Sequence, residues 1–332
     1  MQKYPRISIL VAARNEEANI IRCLQSLEAL AYPTEKIEIL IGNDDSQDAT
    51  YQLVSDYIQV RPHFKLLDIR VKIGHLQGKT NVLAQLAQVA TGEYLFFTDA
   101  DICVPLTWLT AMLHPFENQP NLGIVTGITS IIGNSLLHKL QAIEWLNALA
   151  IMRFYSLFKI PLTAMGNNMV VSRKAYLAVG GYENIPFSIT EDFALFKAIV
   201  EKKYEFAQLF NANVLAESQP VESYPKYFEQ RKRWMFGAMN LPIIHRTSMY
   251  FQAFLMPFLI FLCFLKPVVG LVIWGVKMVV QAAVLAGVLV LLNKKKYLWL
   301  LPIYEFWSGA MWLAMFINYF LPTKTTWKGR TY

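Results

Sequence analysis

The chain has 332 residues, of which 55% are hydrophobic and 14% aromatic, and 31 basic residues against 24 acidic ones leave a net charge of +7. Its mean hydropathy of +0.31 excludes a wholly water-soluble protein, and the length suits one large domain with an addition rather than several independent domains. The three cysteines, Cys23, Cys103 and Cys263, lack metal-ligand spacing and fit a reducing compartment.

The N-terminus leads into a strand without a long apolar stretch, so no cleaved signal is expected. Strand-like apolar runs then alternate with helix-period segments: 7–12 and 17–30, 37–42 and 48–60, 64–69 and 79–90, 93–98 and 106–116. This alternation predicts βαβ units, an α/β fold with a mainly parallel sheet. Ligands bind such sheets at the carboxyl ends of the strands. The polar clusters fall at those ends: Arg14-Asn15-Glu16-Glu17, Asn43-Asp44-Asp45-Ser46 and Thr98-Asp99-Ala100-Asp101.

Farther on, 134–160 reads as a long, largely apolar helix and 224–246 as an amphipathic one at the headgroup level. Residues 247–265 carry no charge, only Lys266 and Lys277 interrupt the stretch to 293, and 298–321 holds one charge, Glu305. A span needs roughly 20 residues, so two or three transmembrane helices are expected. The expected division is a soluble-type domain at 1–246 and a membrane domain at 247–332. Three spans from a cytoplasmic domain place Lys294, Lys295 and Lys296 inside and the tail with Lys324, Lys328 and Arg330 outside; two spans reverse both. Basic residues at 226–233 and beside the apolar segments suit anionic headgroups, and no nucleic-acid motif is present.

Asp99-Ala100-Asp101 ends the run Tyr94-Leu95-Phe96-Phe97. In isolation an Asp-x-Asp is a turn or cap, but at a strand end beside other acidic loops it suits a hard divalent cation, Mg²⁺ or Mn²⁺, shared with phosphates. Asp44 and Asp45 lie at a neighbouring strand end, where an Asp accepts hydrogen bonds from a base or ribose, whereas Asp48 is adequately read as an N-cap. Gly74-His75-Leu76-Gln77-Gly78-Lys79-Thr80 is not a P-loop, because only three residues separate its glycines. Lys79 at a helix start still suits phosphate oxygens. Glu191 and Asp192 read either as first-turn acids of a helix or as the carboxylate that deprotonates an attacking hydroxyl. Gln230, Arg233 and Trp234 share one helix face and offer an amide, a guanidinium and an aromatic plane, on a stretch that otherwise passes as a solvated basic face.

In this order, from Ile7 to about Trp234, the motifs resemble the family two glycosyltransferases with a GT-A fold, both lipid glycosyltransferases of the ceramide glucosyltransferase kind and polysaccharide synthases. The resemblance implies a Rossmann-like nucleotide-sugar domain followed by transmembrane helices in an integral membrane protein, its catalytic part cytoplasmic, as in a bacterial inner membrane. It implies inverting transfer of a sugar, UDP-linked by expectation, to a lipid or membrane glycan. Arg14, Asn15, Glu16, Asp44 and Lys79 would bind the nucleotide sugar, Asp99 and Asp101 the cation and diphosphate, and Gly166 and Asn168 the acceptor. Asp192, with Glu191, would be the base; Gln230, Arg233 and Trp234 would close over donor and acceptor. The second loop departs from the family's Asp-Asp-Gly-Ser by placing Asp45 in the third position. Few spans favour single transfer over processive synthesis. A non-catalytic lipid- or nucleotide-sugar-binding relative would have lost Asp101, Asp192 or Arg233, all present here.

Overall fold

The computed structural model describes residues 4–241, 243–322, 326–327 and 330–331, so Lys324 and Lys328 of the basic tail lie outside the described residues. The chain divides into two compact units, Met1–Ser130 with Ile151–Gln219, and Ile131–Ala150 with Pro220–Tyr332.

The first unit opens with β1 (Ile7–Ala13), α1 (Ile20–Glu28), β2 (Ile37–Asn43), α2 (Thr50–Ile58), β3 (Phe64–Asp68), α3 (Gly78–Val89) and β4 (Tyr94–Asp99). Then come α4 (Trp108–Asn118), β5 (Leu122–Thr126) and β6 (Ile128–Ile131). Helix α5 (Leu136–Leu157) gives residues 136–150 to the second unit and 151–157 to the first. The first unit closes with β7 (Met169–Ser172), α6 (Arg173–Ala178), α7 (Glu191–Glu201), β8 (Glu205–Gln208) and β9 (Leu215–Ser218).

Seven strands form the main sheet in the order β3-β2-β1-β4-β7-β5-β8. The first four are parallel, and β1, Ile-Ser-Ile-Leu-Val-Ala-Ala, is buried along nearly its whole length, as a strand covered on both faces requires. Register pairs Ala13 with Asn43 and Ala12 with Asp99, so β1, β2 and β4 stop at one level and release their loops at one edge. Strand β7 runs antiparallel to β4 with Met169 opposite Phe97, which brings the segment before β7 to that same edge. One core cluster of this unit runs from Leu10, Leu40 and Phe97 through Leu83 and Leu86 of α3 to Leu195, Phe196 and Ile199 of α7.

The second unit holds α8 (Tyr224–Ala238), α9 (Ile243–Leu265), α10 (Pro267–Leu291) and α11 (Leu301–Phe320), with short antiparallel strands β10 (Thr326–Trp327) and β11 (Arg330–Thr331). The single amphipathic helix expected at 224–246 is two helices, broken between Ala238 and Ile243. Among the described residues, three helices are long and apolar enough to cross a membrane: His245–Leu265, Pro267–Leu291 and Lys295–Phe320. The two charges embedded in these stretches pair, Lys277 Nζ lying 2.5 Å from Glu305 Oε2, and Trp274 Nε1 donates to Glu305 Oε1 at 3.1 Å. Each thereby avoids standing alone in an apolar setting.

Candidate active site

Two loops leave the common edge of the sheet side by side. Arg14 Nη1 donates to the carbonyl of Asp44 and, at 3.2 Å, to that of Asp45. Asn15 N–H donates to Ser46 Oγ at 3.1 Å, and Asn15 Oδ1 accepts from Gln47 N–H at 2.9 Å. Glu16 N–H donates to Thr50 Oγ1 at 2.7 Å. Asp48 is not the α2 N-cap, which is Ala49; it accepts from Thr50 N–H at 3.0 Å and Glu17 N–H at 3.1 Å, tying the loops together. Arg14, Asn15, Glu16 and Asp44 are thus assembled as one braced surface, with Asp44 buried. Asp45 has φ 52°, the left-handed region. The family's glycine is replaced there by a residue type that tolerates this conformation through its short polar side chain.

Asp99 ends β4, and Asp101 follows two residues later. Lys79, the second residue of α3, sets its Nζ 2.5 Å from Asp99 Oδ1 and 2.7 Å from Glu191 Oε1. Burial alone would lower the Lys79 pKa, but the charges of Asp99 and Glu191 outweigh it and hold the ammonium well above its ordinary range. One lysine therefore joins the Asp-x-Asp strand end to the acidic start of α7. Asp101 Oδ2 accepts from Ser218 Oγ of β9 at 3.2 Å, and its carbonyl accepts from Arg22 Nη2 of α1 at 2.9 Å. Arg22 and Ser218 carry no motif and reach Asp101 only through the fold.

Asp192 is not a helix cap: Thr190 is the N-cap, and Asp192 lies in the first turn of α7. Its Oδ2 accepts from Gly166 N–H at 2.7 Å and its Oδ1 from Phe193 N–H at 2.8 Å. Burial first, then the neighbouring Glu191 charge, push its pKa to about 6, against the lowering pull of Lys79 and the two backbone donors. A Cβ on Gly166 would sit 2.8 Å from Asp192 Cβ, so only glycine allows this approach. The Tyr182 hydroxyl, in the same unit, is buried without a hydrogen-bond partner among the described residues, and its ring packs edge-on to Phe97 at 6.3 Å.

Asn168, expected on the acceptor side, is fully buried. Its amide oxygen accepts from Trp108 Nε1 at 2.9 Å, and its nitrogen donates to the carbonyls of Ile128 at 2.7 Å and Val214 at 2.9 Å. It shapes the loop from within, and Gly166 is the member of that loop that meets Asp192. Gln230, Arg233 and Trp234 stand on α8 in the second unit.

The acidic edge has the chemistry of a divalent-cation site. Lys79 pairs with Asp99 and Glu191, and Asp192 stands beside Glu191, so three carboxylates gather at this edge, with Asp101 two residues beyond Asp99. Among the described residues no group of three or more His, Cys, Asp or Glu can hold a metal. Two carboxylates with the rest of the shell left to phosphates is the arrangement Mg²⁺-like ions prefer, so the residues fit such an ion.

This geometry is that of a glycosyltransferase fold: a mainly parallel sheet whose Asp-x-Asp strand end is joined through Lys79 to a second pair of acids. The chain belongs to Glycosyl transferase family 21, whose model it matches over residues 1–332. It is 29% identical over 237 residues to a poly-β-1,6-N-acetyl-D-glucosamine synthase of Staphylococcus epidermidis, covering 71% of this chain and 55% of that one. It is 28% identical over 241 residues to a β-monoglucosyldiacylglycerol synthase of Synechocystis, covering 70% of this chain and 48% of the relative. The chain therefore spans about half the length of these two relatives. The fold is similar to that of the mannosyltransferase PcManGT of Pyrobaculum calidifontis, solved with GDP-Man and Mn²⁺, with TM-score 0.56, 17% identity, and coverage of 92% of this chain and 88% of that one.

Proposed function

We propose that the chain is an inverting hexosyltransferase of the family two type, moving a sugar from a nucleoside diphosphate donor, UDP-linked in the first instance, to a lipid or membrane-associated glycan. Residues 1–246 serve as the catalytic part and 247–332 as the anchor, the catalytic part facing the cytoplasm as in a bacterial inner membrane. The observation that carries this reading is the Asp99–Lys79–Glu191 chain of ion pairs, which sets Asp192 in the same acidic site as the Asp-x-Asp strand end. Support for the donor and acceptor classes comes from the relatives, whose names specify an N-acetylglucosamine polymer and a glucosyl lipid.

In this reading Arg14, Asn15, Glu16 and Asp44 bind the nucleoside, and Lys79 faces the phosphates. Asp99 and Asp101 would hold a divalent ion, Mg²⁺ or Mn²⁺, which when bound would supply positive charge to the leaving diphosphate. Asp192 accepts the proton of the acceptor hydroxyl as its oxygen attacks the anomeric carbon. The bond from that carbon to the diphosphate breaks on the opposite face, and its electron pair leaves with the nucleoside diphosphate. Glu191, committed to Lys79, keeps Asp192's pKa raised rather than taking the proton. Gly166 presents the acceptor side, with Asn168 supporting the loop. Gln230, Arg233 and Trp234 contact donor diphosphate and acceptor.

The test is to incubate the purified full chain in lipid nanodiscs with a panel of UDP- and GDP-sugars and diacylglycerol, glycolipid or oligosaccharide acceptors. One donor should be consumed with product of inverted anomeric configuration. Turnover of no donor, or retention of configuration, would sink the proposal.

A further inference from the structure

Helix α8 carries Gln230, Arg233 and Trp234, and beside them Arg231, only 4% exposed. Its guanidinium forks onto the Glu144 carboxylate of α5, with Nη2 2.5 Å from Oε2 and Nε donating to Oε1 at 3.3 Å. Tyr227 Oη donates to that same Oε1 at 2.7 Å. Arg231 Nη1 donates to the side-chain oxygen of Gln230. The flat face of the guanidinium lies 4.3 Å from the centre of the Trp234 ring and 4.5 Å from that of Tyr227. Trp145, next to Glu144, meets Trp234 edge-on at 5.2 Å. Arg231 therefore touches the first and last side chains of the Gln-x-x-Arg-Trp motif, and Glu144 fixes Arg231.

Stability does not account for this pair. Removing two charges from water costs several kcal/mol per ion, and apolar replacements of similar volume are often neutral or stabilising. What a bidentate fork supplies and packed methyl groups do not is direction, since two parallel hydrogen bonds fix the guanidinium plane. That plane in turn sets the Gln230 amide and the tilt of the Trp234 indole.

We infer that Glu144 and Arg231 are positioning residues for sugar transfer, holding the Gln230 amide and Trp234 indole in the orientation in which they meet the donor diphosphate and the acceptor. The inference rests on the reading of that motif given under the proposed function. Neither residue touches substrate; both act through Gln230 and Trp234.

The test compares the full chain in nanodiscs with Glu144→Leu/Arg231→Met, Glu144→Gln, Arg231→Lys and Trp234→Ala, reading kcat, donor KM and Tm. The double variant should melt at or above wild type while kcat falls roughly a hundredfold, the scale on which a displacement of about 1 Å acts, and KM changes far less. Arg231→Lys keeps the charge without the fork and should fall between. A double variant with kcat within about twofold of wild type, when Trp234→Ala is inactive, overturns the inference. Should the double variant not fold, Glu144→Gln decides: kcat at least about tenfold down at unchanged Tm supports the inference, and kcat within about twofold overturns it. If Trp234→Ala itself transfers like wild type, the motif reading has failed and the inference falls with it.

Discussion

Replacing Asp192 by Asn separates a base from a structural acid, because the two roles predict opposite dependences on pH. Burial and Glu191 raise the Asp192 pKa from its ordinary 3.8 to about 6. Its ionisation therefore opposes folding: this contribution to stability is full below about pH 4 and is lost as pH rises through about 6, amounting to about 3 kcal/mol. Asn carries no charge and escapes that cost at pH 8. It gives up something else, because both carboxylate oxygens accept backbone N–H groups, from Gly166 and Phe193, and one of them becomes an amide nitrogen facing a donor. A lost buried hydrogen bond costs about 1–3 kcal/mol. The two terms nearly cancel at pH 8, so the variant should melt close to wild type there and below wild type at pH 5. Catalysis does not cancel. An amide takes no proton, and transfer should fall at least about a hundredfold, about 2.7 kcal/mol of barrier. Wild-type kcat/KM should rise with pH and level off above about 6, when the base is ionised. The assay is release of nucleoside diphosphate in the presence of acceptor, alongside thermal melts across the same pH range. Transfer within a few-fold of wild type in the Asn variant, or a wild-type rate with no acid limb between pH 5 and 7, would refute the reasoning.

Lys79→Met should destabilise the fold by about 3–5 kcal/mol in thermal melts at pH 8, since it leaves Asp99 and Glu191 without the ammonium they share. Gly166→Ala drives a methyl group against Asp192 and should cost about 1–3 kcal/mol of stability together with transfer activity, while donor binding measured by calorimetry without acceptor stays near wild type. EDTA should abolish donor turnover and Mg²⁺ or Mn²⁺ should restore it; full activity of Asp101→Ala in metal-free buffer would contradict the cation site. Carbonate at high pH should leave the chain in the membrane fraction, and release by carbonate alone would contradict its three apolar helices as spans.

The parallel half of the sheet was legible because β1, β2 and β4 are short runs buried on both faces that end in acids, a pattern that survives without tertiary information. The shared edge of Arg14, Asp44 and Asp99 followed from it. Strand β7 was not legible: Met169–Ser172 is four residues long, and its place between β4 and β5 depends on pairing with strands far away in sequence. Lys79 was readable as a phosphate-facing lysine at a helix start, but its bridge from Asp99 to Glu191 needs α3 and α7 to converge. Asn168 was placed on the acceptor side by the family resemblance alone, which says nothing of what its side chain touches. The three inward hydrogen bonds that bury it come from Trp108, Ile128 and Val214, which no local pattern connects. The helix through 224–246 was drawn too long because its aromatic and basic periodicity runs on past Ala238, where α8 ends.

The direction of β7 bears on how the edge of such a sheet can vary. In a wholly parallel sheet every segment at the ligand-binding edge follows a strand, so altering one disturbs the helix packed behind it. Because β7 runs against its neighbours, the segment reaching that edge here precedes a strand, between α5 and Met169. Residues 158–165 lie ahead of Gly166 on that segment, anchored in the core by Ala164, whereas the place of Asp99 is set by β4 and by Lys79. The sheet thus holds an edge segment that leads into a strand instead of leaving one, while β1, β2 and β4 keep their own register.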